Sequence, residues 1–438
     1  MAGPNSRRNT RCQRLRLRPV VPRPLAGQNL GGTDARTEEP HQPSRPRHAR
    51  LAEATARAAV IPLALYIHIP WCAKKCPYCD FNSHPARGQI PEADYVQALL
   101  RDLDFELAQA PEARPLTSIF FGGGTPSLFS GAGIGAILDG VAQRLAFAPG
   151  IEITLEANPG TAEAQRFRDY RAAGVNRLSM GVQSLNDRHL KALGRIHGAD
   201  EARAAVAMAR DAGFDNLNLD LMFALPEQTL AEAEADLRGL LALAPEHVSY
   251  YHLTLEPNTE FAARPPTLPD SDLAYEMLER GQALIEAAGY AQYETSAYAR
   301  PGRRAAHNLN YWRFGDYLGI GAGAHGKRTL DGRVLRRARH KHPKTFMETA
   351  GSAAGVQEQR AVDGAELAFE YVLNSLRLHE GFALADFRAR TGLADTALEP
   401  ALGRMLSKGL LERDGEVIRP TVLGRNHLNT LQMEFLPS

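Results

Sequence analysis

From residue 62 onward, short apolar runs alternate with longer stretches in which apolar side chains recur every three or four positions. A strand covered on both faces has no polar side to present, so the runs predict buried strands. The longer stretches predict helices with one face turned to a core. Strands are expected at 63–69, 117–121, 151–156, 176–182, 215–221 and 247–253. Helices are expected between them at 93–108, 134–145, 162–173, 199–212 and 230–243. Six βα units of this length imply a parallel sheet. Beyond about residue 260 the pattern changes to a helix at 273–288, an extended segment at 290–298, and glycines and aromatics clustered from 308 to 326. Residues 365–435 form a compact unit with helices near 366–376, 383–390 and 397–408. Two extended runs follow, 410–413 and 417–421, flanking Asp414-Gly415. Asp-Gly is a hairpin-turn dipeptide, and helix, helix, helix, hairpin is the order of a winged-helix-like module.

Residues 1–60 have no sustained apolar period and are rich in Arg, Pro, Gly and Gln, a composition expected to be disordered. The first 33 residues carry seven Arg and no acid, as a transit peptide would, but Pro19, Pro22 and Pro24 interrupt an amphipathic helix. A targeting segment, a bacterial extension and an upstream-misassigned start all remain open. Across 438 residues, 44% hydrophobic and 23% charged content are those of a globular chain with room for one large domain and a smaller one. No apolar run approaches the roughly 20 residues of a membrane helix. The net charge of +1 conceals +8 in residues 1–50, from eleven Arg and three acids, against −7 in the remainder. Residues 361–438 hold eight basic and eleven acidic side chains, so no nucleic-acid partner is expected and the tail unit suits a packing or lid role. Four cysteines, three of them clustered and Cys12 apart, make no disulfide framework and suit a reducing compartment, the cytoplasm.

Those three cysteines, Cys72, Cys76 and Cys79, are spaced by three and then two residues, in a loop bracketed by Pro70 and Pro77. Three thiolates converging from one loop would ligate a cubane iron–sulfur cluster and leave one iron without protein sulfur. The alternative is a structural zinc with His68 or His84 as fourth ligand. Further polar residues follow predicted strand ends, where barrel proteins build their sites. They are the run Gly122-Gly123-Gly124-Thr125-Pro126, Glu156, Gln183 and Asp220, with Arg195 twelve residues after Gln183. Backbone N–H groups of a glycine run can approach a small polar ligand, carboxylates suit ribose hydroxyls, and a guanidinium can fork onto a carboxylate. A second stretch reads His307-Asn308-Leu309-Asn310-Tyr311-Trp312, then Leu318 to Gly326 with four glycines and His325. An imidazole among aromatic faces can ligate and sandwich a porphyrin, although a single histidine also serves as a structural hydrogen-bonder.

The cysteine spacing, with Tyr78 before the third cysteine, resembles the radical-SAM signature. The stretch Tyr66 to Asn82, ending Cys79-Asp80-Phe81-Asn82, resembles the HemW group, haem chaperones related to oxygen-independent coproporphyrinogen III oxidase. The resemblance extends from about Leu63 to the carboxyl terminus. It implies an α/β fold, a partial TIM-like (β/α)6 radical-SAM barrel over 61–300, with a haem-motif and connecting region at 301–360 and a smaller winged-helix-like α+β domain at 361–438. It implies a [4Fe–4S] cluster on Cys72, Cys76 and Cys79, with S-adenosylmethionine on the open iron through its amino and carboxylate groups. Gly123, Gly124 and Thr125 would hold the amino end, and Glu156, Gln183, Arg195 and Asp220 the ribose, carboxylate or methionine portion. Tyr66 would lie near the sulfonium and Tyr78 against the adenine. His-Asn-x-x-Tyr-Trp is the group's haem-associated motif, which carries haem binding onto His307, Tyr311 and Trp312, with His325 as a spare candidate. Phe223-Ala224 departs from a usual Tyr-Gly, so altered packing is expected there.

The function so implied is delivery of haem to acceptor proteins such as respiratory enzymes, by a monomer or homodimer, with transient contact with membrane-bound acceptors. The rival is an oxidative decarboxylase acting on coproporphyrinogen III. Against it, Phe81 stands where that enzyme carries a further cysteine, and residues 1–60 do not resemble its longer leading segment. A winged-helix regulator with an iron–sulfur sensor is opposed by the acidic tail and the complete barrel pattern.

Overall fold

The computed structural model describes residues 61–161 and 164–437. The disorder expected for 1–60, and Cys12 with it, lies outside the described residues. Six parallel strands follow in chain order: β1 (Leu63–Ile69), β2 (Leu116–Gly123), β3 (Phe147–Ala157), β4 (Arg177–Gln183), β5 (Leu217–Phe223) and β6 (His247–His252). The crossovers run through α1 (Glu92–Gln109), α2 (Gly131–Ala142), α3 (Ala164–Ala172), α4 (Ala199–Asp211) and α5 (Leu230–Ala242), the first five helices expected. The helix α2 begins three residues earlier than its apolar pattern suggests, because Gly131 and Gly133 hide its first turn. The Ser130 side chain caps it by accepting from Gly133 N at 3.0 Å, and the Glu92 carboxylate accepts from Ser130 N at 2.9 Å.

Burial along the strands locates the site. In β1 every residue is buried except Tyr66, and in β5 every residue except Asp220. The same single break falls at Glu156 in the second half of β3 and at Gly181 in β4. A parallel strand packed on both faces loses contact at one point only where its side chain meets the barrel's open interior. Tyr66, Glu156 and Asp220 therefore look into one space.

After α6 (Ser271–Ala287), the segment expected to be extended forms β7 (Ala291–Glu294) and β8 (Ala297–Ala299), and β8 pairs antiparallel with β6. The short helix α7 (Ala306–Trp312) leads to β9 (Asp316–Ile320), which runs parallel to β1 on its far side, with Tyr66 opposite Gly319. From β9 the sheet continues antiparallel through β10 (His325–Leu330), β11 (Arg333–Arg339) and β12 (Val356–Val362) to twelve strands. Residues 316–362 thus extend the barrel's own sheet. The carboxyl-terminal unit opens with α8 (Gly364–Ser375) and has its own core, in which Tyr371 meets Phe314, Phe382 and Phe387 edge-on at 5.1–5.3 Å. Its hairpin pairs Leu411–Asp414 with Val417–Pro420 around Gly415, whose φ of 59° suits glycine. The helix expected over 397–408 is divided into Asp395–Leu398 and Ala401–Ser407, since Pro400 has no N–H for the helix ladder. Among the described residues no helix is long and apolar enough to cross a membrane.

Candidate cluster and cofactor site

The cysteine loop is fixed by backbone before any metal is considered. Gly124 N donates to Ile69 O at 2.8 Å, Thr125 N to Trp71 O at 2.7 Å, and His84 N to Pro70 O at 2.7 Å. A Cβ on Gly124 would overlap the Trp71 carbonyl, so glycine is required for this approach. The triple-glycine loop was expected to offer its N–H groups to a ligand. Instead Gly124 and Thr125 hold the cysteine loop, and Gly123 N donates to Glu156 Oε2 at 3.2 Å. What such a loop can still present to an ammonium group is carbonyl oxygen, the acceptor an ammonium needs.

Asn82, at the far end of the loop, donates from Nδ2 to Ala322 O and Lys341 O, both at 2.9 Å. His68 joins this lock, with Nε2 at 2.8 Å from Asn82 O and Nδ1 at 3.0 Å from the Tyr66 hydroxyl. Burial brings the His68 imidazole down to about 4. Gly323 takes a φ of 80°, and a Cβ there would overlap Asn82. Two motifs about 240 positions apart in sequence are thereby one structure.

The thiols see one another: burial pushes Cys72 and Cys79 above the ordinary value, with Cys76 adding to the first and Cys72 to the second. The Thr125 hydroxyl works the other way on Cys72. A bound cation would make thiolates of them outright. Among the described residues no three Cys, His, Asp or Glu side chains are close enough to share one ion. The imidazoles of His68 and His84 are turned to the carbonyls of Asn82 and Lys341, which does not prepare the fourth ligand of the zinc alternative. A cubane needs no shared ion, since each thiolate takes a separate iron.

Around this loop the structure assembles the other expected residues. Arg195 donates from Nη2 to Gly181 O at 2.7 Å and from Nη1 to Cys76 Sγ at 3.7 Å. Its buried Nε has no partner among the described residues, an orphan donor that a bound carboxylate would satisfy. Gln183, at φ 70°, accepts the Tyr251 hydroxyl at 2.7 Å. Asp220 is held by Asn218 Nδ2 at 2.8 Å, and burial pushes its carboxyl up. Glu156 is pushed up to about 8, by burial first and by Asp220 second. Burial likewise raises the Tyr66 hydroxyl. Tyr78 packs toward Phe261, with ring centroids 6.4 Å apart, beside Leu193, Met222 and Leu253. Two buried carboxyls, an orphan guanidinium donor and three thiols fit a cluster together with a ligand that is cationic at one end and carboxylate at the other. Phe223 packs against Tyr250 with ring centroids 4.6 Å apart, and Ala224 takes φ 55°, a conformation glycine would adopt freely.

Replacing Glu156 with glutamine is expected to leave the melting temperature at pH 7 unchanged, because the carboxyl it replaces is already neutral there. The same change should weaken S-adenosylmethionine binding about tenfold or more, since a cationic ligand draws Glu156 into its charged form. Equal affinity in calorimetric titration would remove Glu156 from the cofactor's shell.

The second motif divides. His307 is 1% exposed, with Nδ1 3.0 Å from Ser118 Oγ and Nε2 2.9 Å from the Tyr311 hydroxyl. Its ring stacks on Phe120 at 5.0 Å, its backbone N–H donates to Glu152 Oε1 at 3.2 Å, and burial brings the imidazole down to about 3. Trp312 turns away to pack with Leu309 and Leu378, under the Arg377 guanidinium at 4.3 Å. Tyr311 and Tyr317, edge to face at 4.5 Å, line a cavity of about 370 Å³ that opens to solvent. Its far wall is Tyr66, Gly123 and Glu156, and its mouth carries Phe81, His325 and Lys341. Ser118, Phe120, Glu152 and Tyr251 were not anticipated; each is an ordinary strand residue without a local motif.

A parallel barrel with a three-cysteine loop on its first strand defines a radical-SAM protein. The family model described as the radical SAM superfamily matches residues 66–240, and that of the HemN C-terminal domain matches 362–426. The solved structure of coproporphyrinogen III oxidase (HemN) from Escherichia coli superposes with a TM-score of 0.73 at 25% identity, covering 88% of this chain and 93% of that one. The heme chaperone HemW of Escherichia coli K12 is 52% identical over 86% of this chain and 98% of its own length. A mouse protein, radical S-adenosyl methionine domain-containing protein 1, mitochondrial, is 37% identical over 90% and 92%. The chain belongs to the HemW haem chaperone family. Its superfamily's cofactors, a [4Fe–4S] cluster and S-adenosylmethionine, match the donor set described above.

Proposed function

We propose that the protein binds haem in the cleft between Tyr311, Tyr317 and the cysteine loop, and passes it to acceptor proteins, respiratory enzymes among them, in the cytoplasm. Cys72, Cys76 and Cys79 would hold the cluster, and Arg195, Glu156, Gln183, Asp220 and the glycine run the S-adenosylmethionine. When bound, the cluster supplies a one-electron centre whose open iron takes that cofactor as ligand. The observation that carries the proposal is the Asn82 lock, which makes the cleft wall and the cysteine loop a single unit. Occupancy of the cleft and the state of the cluster then influence each other through a rigid connection. Phe81, 61% exposed at the mouth, offers an apolar ring to a porphyrin face where the decarboxylase carries a cysteine. A cleft open to solvent leaves one edge of a flat cargo available to an acceptor, either a soluble one or one met briefly at a membrane.

Titrating haem into anaerobically reconstituted protein, with coproporphyrinogen III turnover assayed in parallel, tests this. Stoichiometric binding without vinyl product is expected. Turnover without tight haem binding would establish the decarboxylase instead. Sedimentation with and without cluster distinguishes the monomer from the homodimer.

A further inference from the structure

The haem-associated motif contains a histidine, but that histidine is not placed to meet iron. Both ring nitrogens of His307 are engaged, one by Ser118 and one by Tyr311, inside a site that is 1% exposed. Freeing Nε2 would unpair the Tyr311 hydroxyl and break the stack on Phe120. Such a fully satisfied buried imidazole is a structural support.

His325 stands in the opposite condition. It is exposed, lies on the wall of the same cavity, and its ring makes no hydrogen bond among the described residues. Its backbone is held closely nonetheless. It opens β10 opposite Ala338, and its carbonyl lies where a Cβ on Gly319 would sit, so the glycine beneath it lets the two strands close. An unpartnered imidazole on a fixed backbone, facing an open aromatic cleft, is preorganised for an axial bond. Lys341 stands on the same wall, with its backbone carbonyl fixed by Asn82 and His84, and offers a cation for a propionate. We infer that His325 is the protein ligand to the haem iron, and that His307 acts as a positioning residue that holds Tyr311 as the floor of the cleft.

This inference rests on the haem-binding proposal, and one experiment separates the two. The full chain, reconstituted anaerobically, is titrated with haem as wild type, His325→Ala and His307→Ala, recording absorbance, resonance Raman of the ferrous iron–imidazole stretch, and thermal melts. The inference expects His325→Ala to lose the iron–imidazole signature while melting as wild type does. Added imidazole should restore the signature to that variant. His307→Ala should keep the signature, melt earlier, and bind haem about 10–100-fold more weakly, as loss of a supporting residue does. An iron–imidazole stretch that survives in His325→Ala overturns the assignment, as does a signature lost in His307→Ala and regained with imidazole. If the wild type takes up no haem, the proposed function itself falls and the ligand assignment with it.

Discussion

Replacing Cys76 with serine is expected to abolish the cluster: iron and sulfide after reconstitution fall to near zero, and the visible charge-transfer absorbance disappears. Serine is a hard donor that stays protonated at neutral pH, whereas a cluster iron requires soft thiolate. With three protein ligands and one iron already open, no described side chain stands ready to substitute. His68 and His84 are committed to backbone carbonyls, and no third group closes on the remaining pair. The fold should survive, because the loop is pinned through Gly124, Thr125 and Asn82 rather than through sulfur. Circular dichroism of the apo variant should match that of the apo wild type. Cys12→Ser, in the same assay, should retain full iron. A Cys76→Ser protein that keeps wild-type iron would reassign the ligand set.

The barrel was legible because burial on both faces leaves strands as unbroken apolar runs, and because five crossover helices show one apolar face each. Of the candidate cofactor residues, Glu156, Gln183 and Asp220 stand out by their place near strand ends. The strand architecture that stayed hidden came from the second half. On its far side β1 pairs in parallel with the five-residue β9, Asp-Tyr-Leu-Gly-Ile, too short and too polar to announce a central strand. Its glycine serves a contact with the His325 carbonyl that exists only once β10 has folded back. The division of labour between His307 and His325 was equally hidden. The sequence presents two histidines in two motifs, and only packing decides that Ser118 and Tyr311 enclose the first. Trp312 belongs to the same class: its motif position suggested the cleft, and Arg377 and Leu378 from the distant carboxyl-terminal unit take it elsewhere.

The residue whose loss should cost most in stability is Asp316, at the start of β9. Its side chain is fully buried and accepts from Lys327 Nζ, Arg114 Nη1, Thr329 N and Thr329 Oγ1, each at 2.9 Å. Burial alone would raise this carboxyl, but Lys327 and its hydrogen-bond donors outweigh burial and hold it below 3.8. For Lys327, 1% exposed, burial wins and brings the ammonium down to about 8. Asp316→Ala leaves that ammonium in the core without its counter-charge, a change expected to destabilise by about 3–5 kcal/mol. The sign of the pH dependence distinguishes this cause from a simple cavity. The folded pKa of Lys327 lies below its unfolded 10.5 and falls further without Asp316, so the variant should regain stability as pH rises from 7 toward 10. In the wild type the Asp316 contribution is present above its unfolded value and lost only in acid. Asp316→Leu combined with Lys327→Met removes both charges and should recover most of the loss. Urea melts of the three proteins across that pH range decide the matter: a deficit in Asp316→Ala that is independent of pH, or a double variant no better than the single, would show that packing rather than charge sets the value of this pair.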